Sequence, residues 1–222
     1  TVGTNPSFAP FEFTDKQDGK MMGFDIDLMN ALAKKAGYEK VEFKSIPFDG
    51  LIPSLEGGNI DAIITGMSIT DARKQKVNFT EPYYESGLMA IVGKNNDSIK
   101  GLEDLKGKTI AVQIGTIGAD EALKIEGATV KTFDSSDLAC LELKNGGADA
   151  VISDLPVLQY FLKQGGSEYA KSVGTPKKGD FYGIAVGKKD TATLDKLNKA
   201  LAEMKKDGEY QKIYDKWFTV AK

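Results

Sequence analysis

GGNIDAIIT, residues 57–65, and GGADAVIS, residues 146–153, read alike. In each, a glycine pair that stops a helix is followed by Asp-Ala and an apolar run with no polar alternation. An unalternated run of that length predicts a strand covered on both faces, as in a parallel sheet. The two Asp-Ala steps, Asp61-Ala62 and Asp149-Ala150, lie 88 positions apart, and the repeat predicts two similar α/β lobes. Gly-Gly before a buried strand also recurs by chance, so the flanking pattern has to carry the same message.

It does so on both sides. Upstream, TVGT reads as a strand, NPSFAPFEF as an aromatic loop and Asp18-Gly19 as a hairpin turn. FDIDLMNALAKKAG reads as a helix with Phe24, Leu28, Leu32 and Ala36 on one face, acids in its first turn and Gly37 at its stop. VEFKSI is a strand and FDGLIPSLEGGN a short helix leading into the first repeat. Around the second repeat, KTIAVQIGT, TVKTF and ADAVISD read as strands, with ADEALKIEG and SDLACLELKNGG as the helices between them. LPVLQYFLKQGG is a further helix, the stretch from Ser167 to Asp180 is polar, and FYGIAVG is a strand. LDKLNKALAEMKKDGEYQKIYDKWF closes the chain as two amphipathic helices broken at Asp207-Gly208, and pattern does not assign them to either lobe.

Composition narrows the function. The 222 residues hold 29 basic and 32 acidic side chains, and the lysines are scattered among acids, so the basic stripe that nucleic acid demands is missing. With no His and one Cys, His-based triads, His-ligated zinc and Cys-rich metal sites are excluded by inventory, and no metal or cofactor is expected. Cys140, inside LACLEL, is expected as a small buried hydrophobe. No apolar stretch approaches the roughly 20 residues of a membrane helix. The chain as given is expected to be soluble, with a removed signal peptide or lipid anchor left open.

Ligands of parallel α/β sheets bind beyond the carboxyl ends of the strands. Four such ends carry chemistry. After TVGT come Asn5, Ser7, Phe8, Phe11 and Glu12, which also read as a loop anchor. After the first repeat come Thr65, Gly66, Ser68, Thr70 and Arg73; an Arg fork grips a carboxylate through two hydrogen bonds, though beside Asp71 it also reads as a solvated ion pair. After TIAVQ, which ends at Gln113, Gly115, Thr116 and Gly118 precede a helix whose free N–H groups favour a small anion, without the spacing of a phosphate-binding loop. After the second repeat come Ser153 and Asp154, a helix cap or the counterion of an ammonium. One cation, one anion, an anion-friendly turn and aromatics are the inventory for a zwitterion bearing a side chain.

At these residues the chain resembles the periplasmic solute-binding proteins of ABC transporters for polar amino acids. The resemblance runs through GTNPSFAPFEF, GFDIDLMNALAKKAG, FDGLIPSLEGGNIDAIITGMSITDARKQKVNFTEPYY, LKGKTIAVQIGT, GGADAVISD and DGEYQKIYDKWF. It implies the type II periplasmic-binding-protein fold. Lobe 1 would hold residues 1 to 83 and 183 to 222, lobe 2 residues 84 to 182, and hinges near 84–87 and 180–182 would let the lobes close on a ligand. It further implies that Arg73 clamps the α-carboxylate with backbone N–H groups of Ser68 and Thr116. Asp154, the Gly66 carbonyl and the Ser68 hydroxyl would take the α-ammonium, and Phe8 and Phe48 would sandwich the side chain.

The resemblance leaves the side chain of the ligand open between L-arginine and L-glutamine. Asn5, Gln113 and Ser153 stand where relatives often have Asp, Lys and His. A neutral Gln113 removes a charge that would repel arginine, a Phe pair suits a guanidinium, and Glu12 offers a counterion if it points inward. The amides of Asn5 and Gln113 suit glutamine. Arginine is slightly favoured, glutamate is disfavoured for want of a second cation, and a glutamine-specific binder is the first alternative. A membrane-embedded ABC permease is the implied partner and a monomer the implied state. The implied place is the periplasm, or the outer face of a single-membrane cell on a lipid anchor. A ligand-sensing receptor domain and a dehydratase-like enzyme are the remaining alternatives on this fold; for the enzyme, Glu12 is the one obvious acid.

Overall fold

A computed structural model describes residues 1–218. The chain starts with β1 (Val2–Thr4), β2 (Ser7–Phe8), a hairpin of β3 (Glu12–Thr14) and β4 (Met21–Met22), and helix α1 (Phe24–Lys35). There follow β5 (Phe43–Ser45), α2 (Leu51–Glu56), β6 (Ala62–Ile63), α3 (Asp71–Lys74) and β7 (Val77–Phe79). The middle holds β8 (Tyr84–Gly93), β9 (Thr109–Gln113), α4 (Ile117–Leu123), β10 (Thr129–Phe133), α5 (Ser136–Lys144), β11 (Ala150–Asp154), α6 (Leu155–Lys163) and β12 (Ala170–Tyr182). Last come β13 (Ala185–Gly187), α7 (Thr191–Asp207) and α8 (Glu209–Phe218). Two compact units result: Thr1–Pro6, Pro10–Tyr84 and the described residues from Phe181 form the first, and Ser7–Ala9 with Glu85–Asp180 the second.

In the first unit the sheet order is β5-β1-β6-β13-β7. β1 runs parallel to β5 and β6, with Val2 opposite both Phe43 and Ala62, and β13 runs antiparallel to β6 and β7. The apolar run of the first repeat pairs for only two residues before the chain turns away at Gly66, whose φ of 55° is left-handed. Leu51, Leu55, Ile60, Ile63, Met67, Val77 and Ala185 close the core beneath it. The C-terminal helices belong to this unit. Their break at Gly208 needs the left-handed φ of 86° found there.

Helix α1 buries Phe24, Leu28, Met29 and Leu32 as the periodicity demands, and Asp25 is buried with them. Its first N–H groups have no intrahelical partner and are taken by the preceding loop: Phe24 N–H donates to the Pro10 carbonyl at 2.9 Å and Asp25 N–H to the Phe11 carbonyl at 2.8 Å. That approach leaves no room at Gly23, where φ is 136° and a Cβ would sit 2.2 Å from the Phe11 carbonyl oxygen. Gly23→Ala is expected to cost about 2–3 kcal/mol of stability by forcing this backbone apart. Urea unfolding checks it, and an unchanged midpoint would show that the loop gives way freely.

The second unit has the order β10-β9-β11-β8-β12. β9, β10 and β11 are parallel, β8 is antiparallel to β11, and Asp154 lies opposite Leu88. Alternate residues feed two cores: Ile91, Ala111 and Val151 face one way with Cys140, and Ala90, Val92, Ile110, Val112, Ala150 and Ile152 the other. That double cover is why the second repeat is apolar without alternation. Burial pushes the Cys140 thiol up to about 12, so it remains an unreactive thiol. Most of the polar stretch from Ser167 to Asp180 is strand β12, for which the pattern supplies no signal. It is an edge strand with its side chains mostly exposed, and its lysines, Pro176 and two positive-φ glycines blunt that edge.

Candidate functional site

Parallel pairing brings the carboxyl ends of β1 and β6 level, so the residues after each meet. In the first unit Asn5 N–H donates to Thr65 Oγ1 at 3.0 Å, and Asn5 Nδ2 donates to the Ile46 carbonyl at 3.3 Å. Thr65 in turn donates to Glu12 Oε1 at 2.7 Å. Glu12 is 0% exposed. Its carboxylate is turned into the unit, where the neighbour is Asp25, which accepts from Tyr83 Oη at 2.9 Å and from Gly66 N–H at 2.7 Å. Burial is the main cause that raises Asp25 to about 6, against the lowering by its hydrogen bonds.

Arg73 is held in place before any ligand arrives. Thr70 caps α3 by accepting from Arg73 N–H at 3.2 Å. Arg73 Nη1 donates to the Ser68 carbonyl at 2.8 Å, and the Phe48 ring stands 5.4 Å from the guanidinium carbon. Ser68 is buried and bridges antiparallel to Tyr182. Asn5, Thr65, Gly66, Ser68, Arg73 and Phe48 are therefore carried by one unit, with Arg73 half-buried and positioned rather than trailing in solvent.

The second unit gathers the ends of β9 and β11. Gln113 is buried; its Oε1 accepts from Ser136 Oγ at 3.2 Å and its Nε2 donates to the Asp134 carbonyl at 3.2 Å. Ser136 Oγ also lies 3.2 Å from Ser153 Oγ, which chains Gln113 to the residue before Asp154. Thr116 donates to the Gln113 carbonyl at 2.8 Å and caps α4 by accepting from Ala119 N–H, after a left-handed Gly115 with φ of 76°. Asp154 is 4% exposed and stands at the cap position of α6 without making the side-chain cap bond. Phe8 groups with this unit, so the two rings expected to flank a side chain, Phe8 and Phe48, are carried by different units.

Sequence reasoning missed Asp25, Tyr83 and Ser136. The signal for Asp25 was present: it lies three, four and seven positions before Leu28, Met29 and Leu32, on the apolar face of α1. Ser136 had none, because a Ser at a helix start reads as a cap, and that cap is Ser135.

The profile of the bacterial extracellular solute-binding proteins, family 3, matches residues 1–220. The chain belongs to this family. An ABC transporter arginine-binding protein 1 of Escherichia coli (strain K12) is 41% identical over 97% of the chain and 89% of its own length. A probable histidine-binding protein of Neisseria gonorrhoeae is 40% identical over 98% of the chain and 82% of its own. Among solved structures, an ancestral arginine-binding protein bound to arginine superposes with a TM-score of 0.94 at 51% identity, covering 98% of this chain and 96% of that one. An ancestral arginine-binding protein bound to glutamine gives 0.91 at 50%, covering 99% and 97%. As a family 3 solute-binding protein the chain has the two-lobed α/β periplasmic-binding fold. It is an amino-acid-binding component of ABC transport and not an enzyme. Among the described residues, no helix is long and apolar enough to cross a membrane.

Proposed function

We propose that the chain binds a polar L-α-amino acid, arginine in first place and glutamine second, and hands it to the membrane-embedded permease of an ABC importer. The observation that carries the reading is Arg73, half-buried on α3 and fixed there by Ser68, Thr70 and Phe48. A guanidinium held so has little rotamer freedom left to lose when it grips a carboxylate. The buried carboxylate of Asp154 is the matching group for the α-ammonium, with the Gly66 carbonyl and the Ser68 hydroxyl beside Arg73 as further acceptors. Ser68 and Thr116 contribute backbone N–H groups to the carboxylate end. Closure follows from the ligand binding one lobe and being completed by the other, so that only the closed state has all its contacts.

Arginine ranks first because Gln113 is neutral and Phe8 and Phe48 offer ring faces to a guanidinium. Ancestral arginine-binding relatives hold arginine in one structure and glutamine in another, which supports a pocket that accepts both. In this reading Glu12 serves inside the first lobe and not as the guanidinium counterion. The protein acts as a monomer in the periplasm, or lipid-anchored outside a single-membrane cell. Calorimetric titration tests the ranking, after unfolding and refolding to strip retained ligand, with arginine, glutamine, lysine, histidine and glutamate. Arginine is expected to bind most tightly and glutamate not at all. Glutamine ahead of arginine would put the Asn5 and Gln113 amides in control, and no binding across the panel would overturn the proposal.

A further inference from the structure

The first unit buries two carboxyl groups to which amino-acid binding gives no task. Glu12 on β3 and Asp25 on α1 are both 0% exposed, and the Glu12 carboxyl is a direct neighbour of Asp25. Two ionised carboxylates buried as neighbours offer only lone pairs and repel each other, and one proton on either of them relieves that repulsion. Among the described residues, Asp25 Oδ1 receives no N–H or O–H and is available to carry that proton. The remaining oxygens grip two consecutive residues of one turn: Glu12 Oε1 accepts from Thr65, and Asp25 Oδ2 accepts from Gly66 N–H and Tyr83 Oη.

We propose that Glu12 and Asp25 share one proton in the ligand-free protein and that a bound cationic amino acid expels it to solvent, so that affinity rises with pH. The proposal rests on the binding reading above, in which the α-ammonium sits at the Gly66 carbonyl. A positive charge on the same turn whose N–H is held by Asp25 favours the doubly ionised pair over the singly protonated one. If binding releases a proton, linkage requires that raising the pH strengthens binding. Glu12 and Asp25 are then positioning residues, acting through Thr65 and Gly66.

The groups around the pair leave it in charge of this titration. Asp25 is raised to about 6, chiefly by burial. The Tyr83 hydroxyl is pushed well above its ordinary value by the same burial and by the neighbouring carboxylates, so it stays a donor. On α8, Tyr210 is raised too and also feels Asp25. Asp27, two residues on in α1, is directed instead to Lys216 and Trp217. Among the described residues, none of the groups that act on Asp25, namely Glu12, Tyr83 and Gly66, is a cation. The sequence has no His to titrate near pH 6 in their place.

The sign for stability is opposite to that for affinity. Asp25 binds its proton more tightly in the folded chain than its ordinary value of 3.8 allows. The stability this contributes is complete below that value and is lost as pH rises through about 6. The test is titration with arginine near pH 6 in buffers of different ionisation enthalpy, since arginine itself does not titrate there. Release of a fraction of a proton per arginine is expected, with affinity rising about threefold to tenfold between roughly pH 5 and pH 7. Asp25→Asn should remove the release, and Glu12→Gln is the second variant should that one fail to fold.

Arginine binding without proton exchange in the unsubstituted protein, or release that persists in a folded variant, overturns the proposal. No arginine binding at any pH overturns the binding reading instead. In that case urea unfolding still judges the shared proton: stability that does not fall between about pH 4 and pH 6, relative to Asp25→Asn, rules it out.

Discussion

Arg73→Ala is expected to remove measurable binding of every α-amino acid, a loss of at least about a thousandfold, while leaving the melting temperature nearly unchanged. Both halves follow from the side chain's surroundings. Arg73 is half-buried on the four-residue helix α3, and its backbone N–H, which alanine keeps, makes the cap bond to Thr70. The contacts the fold loses include the hydrogen bond to the Ser68 carbonyl and the ring contact with Phe48. The ligand loses far more. On the proposed reading its α-carboxylate loses the guanidinium that pairs with it, and truncating one partner of a desolvated charge pair costs about 2–5 kcal/mol or more. Arg73→Lys separates charge from shape: it keeps the cation and loses the planar fork, so affinity should fall to an intermediate value. Calorimetry on both variants with arginine and glutamine decides the matter. Near-native affinity in Arg73→Ala would mean that the carboxylate is held elsewhere.

The parts of this protein that pattern can reach are those where one physical demand dominates. GGNIDAIIT and GGADAVIS are apolar without alternation because the strands they encode are central, and those of the second unit have a core on each face. Helix α1 shows its periodicity because a single face is buried. Strand β12 is illegible for the converse reason, being an edge with most side chains in solvent, so backbone pairing and not burial makes it a strand. The candidate site divides in the same way. Gln113 and Asp154 are the last residues of β9 and β11, and Arg73 lies on α3 beyond β6, so inspection of the carboxyl ends of strands reaches all three as candidates. Glu12 sits in an aromatic loop whose composition suggests a ligand contact, and only the coordinates reveal that its carboxyl turns toward Thr65 and Asp25. The link from Gln113 through Ser136 to Ser153 joins three separate segments and depends on rotamers that no sequence pattern records.

Asp154→Asn should weaken arginine by about a hundredfold to a thousandfold, and the loss should depend on the ligand's α-ammonium alone. Asparagine keeps the volume and one carbonyl oxygen at a position that is 4% exposed, so packing at the end of β11 is retained and the charge is what disappears. On the proposed reading, an ammonium brought into a buried site without its counterion pays desolvation that hydrogen bonds to Gly66 and Ser68 only partly offset. The discriminating ligand is δ-guanidinovalerate, arginine without its α-ammonium. The unsubstituted protein should prefer arginine to this analogue by roughly the factor that the substitution costs, and Asp154→Asn should bind the two with similar affinity. The double comparison cancels any general damage to the site, because such damage weakens both ligands together. A variant that still preferred arginine by the full factor would place the ammonium on other acceptors. Asp154 would then be a residue of the β11–α6 junction, and the Gly66 carbonyl and Ser68 hydroxyl of the first unit would carry the ammonium without it.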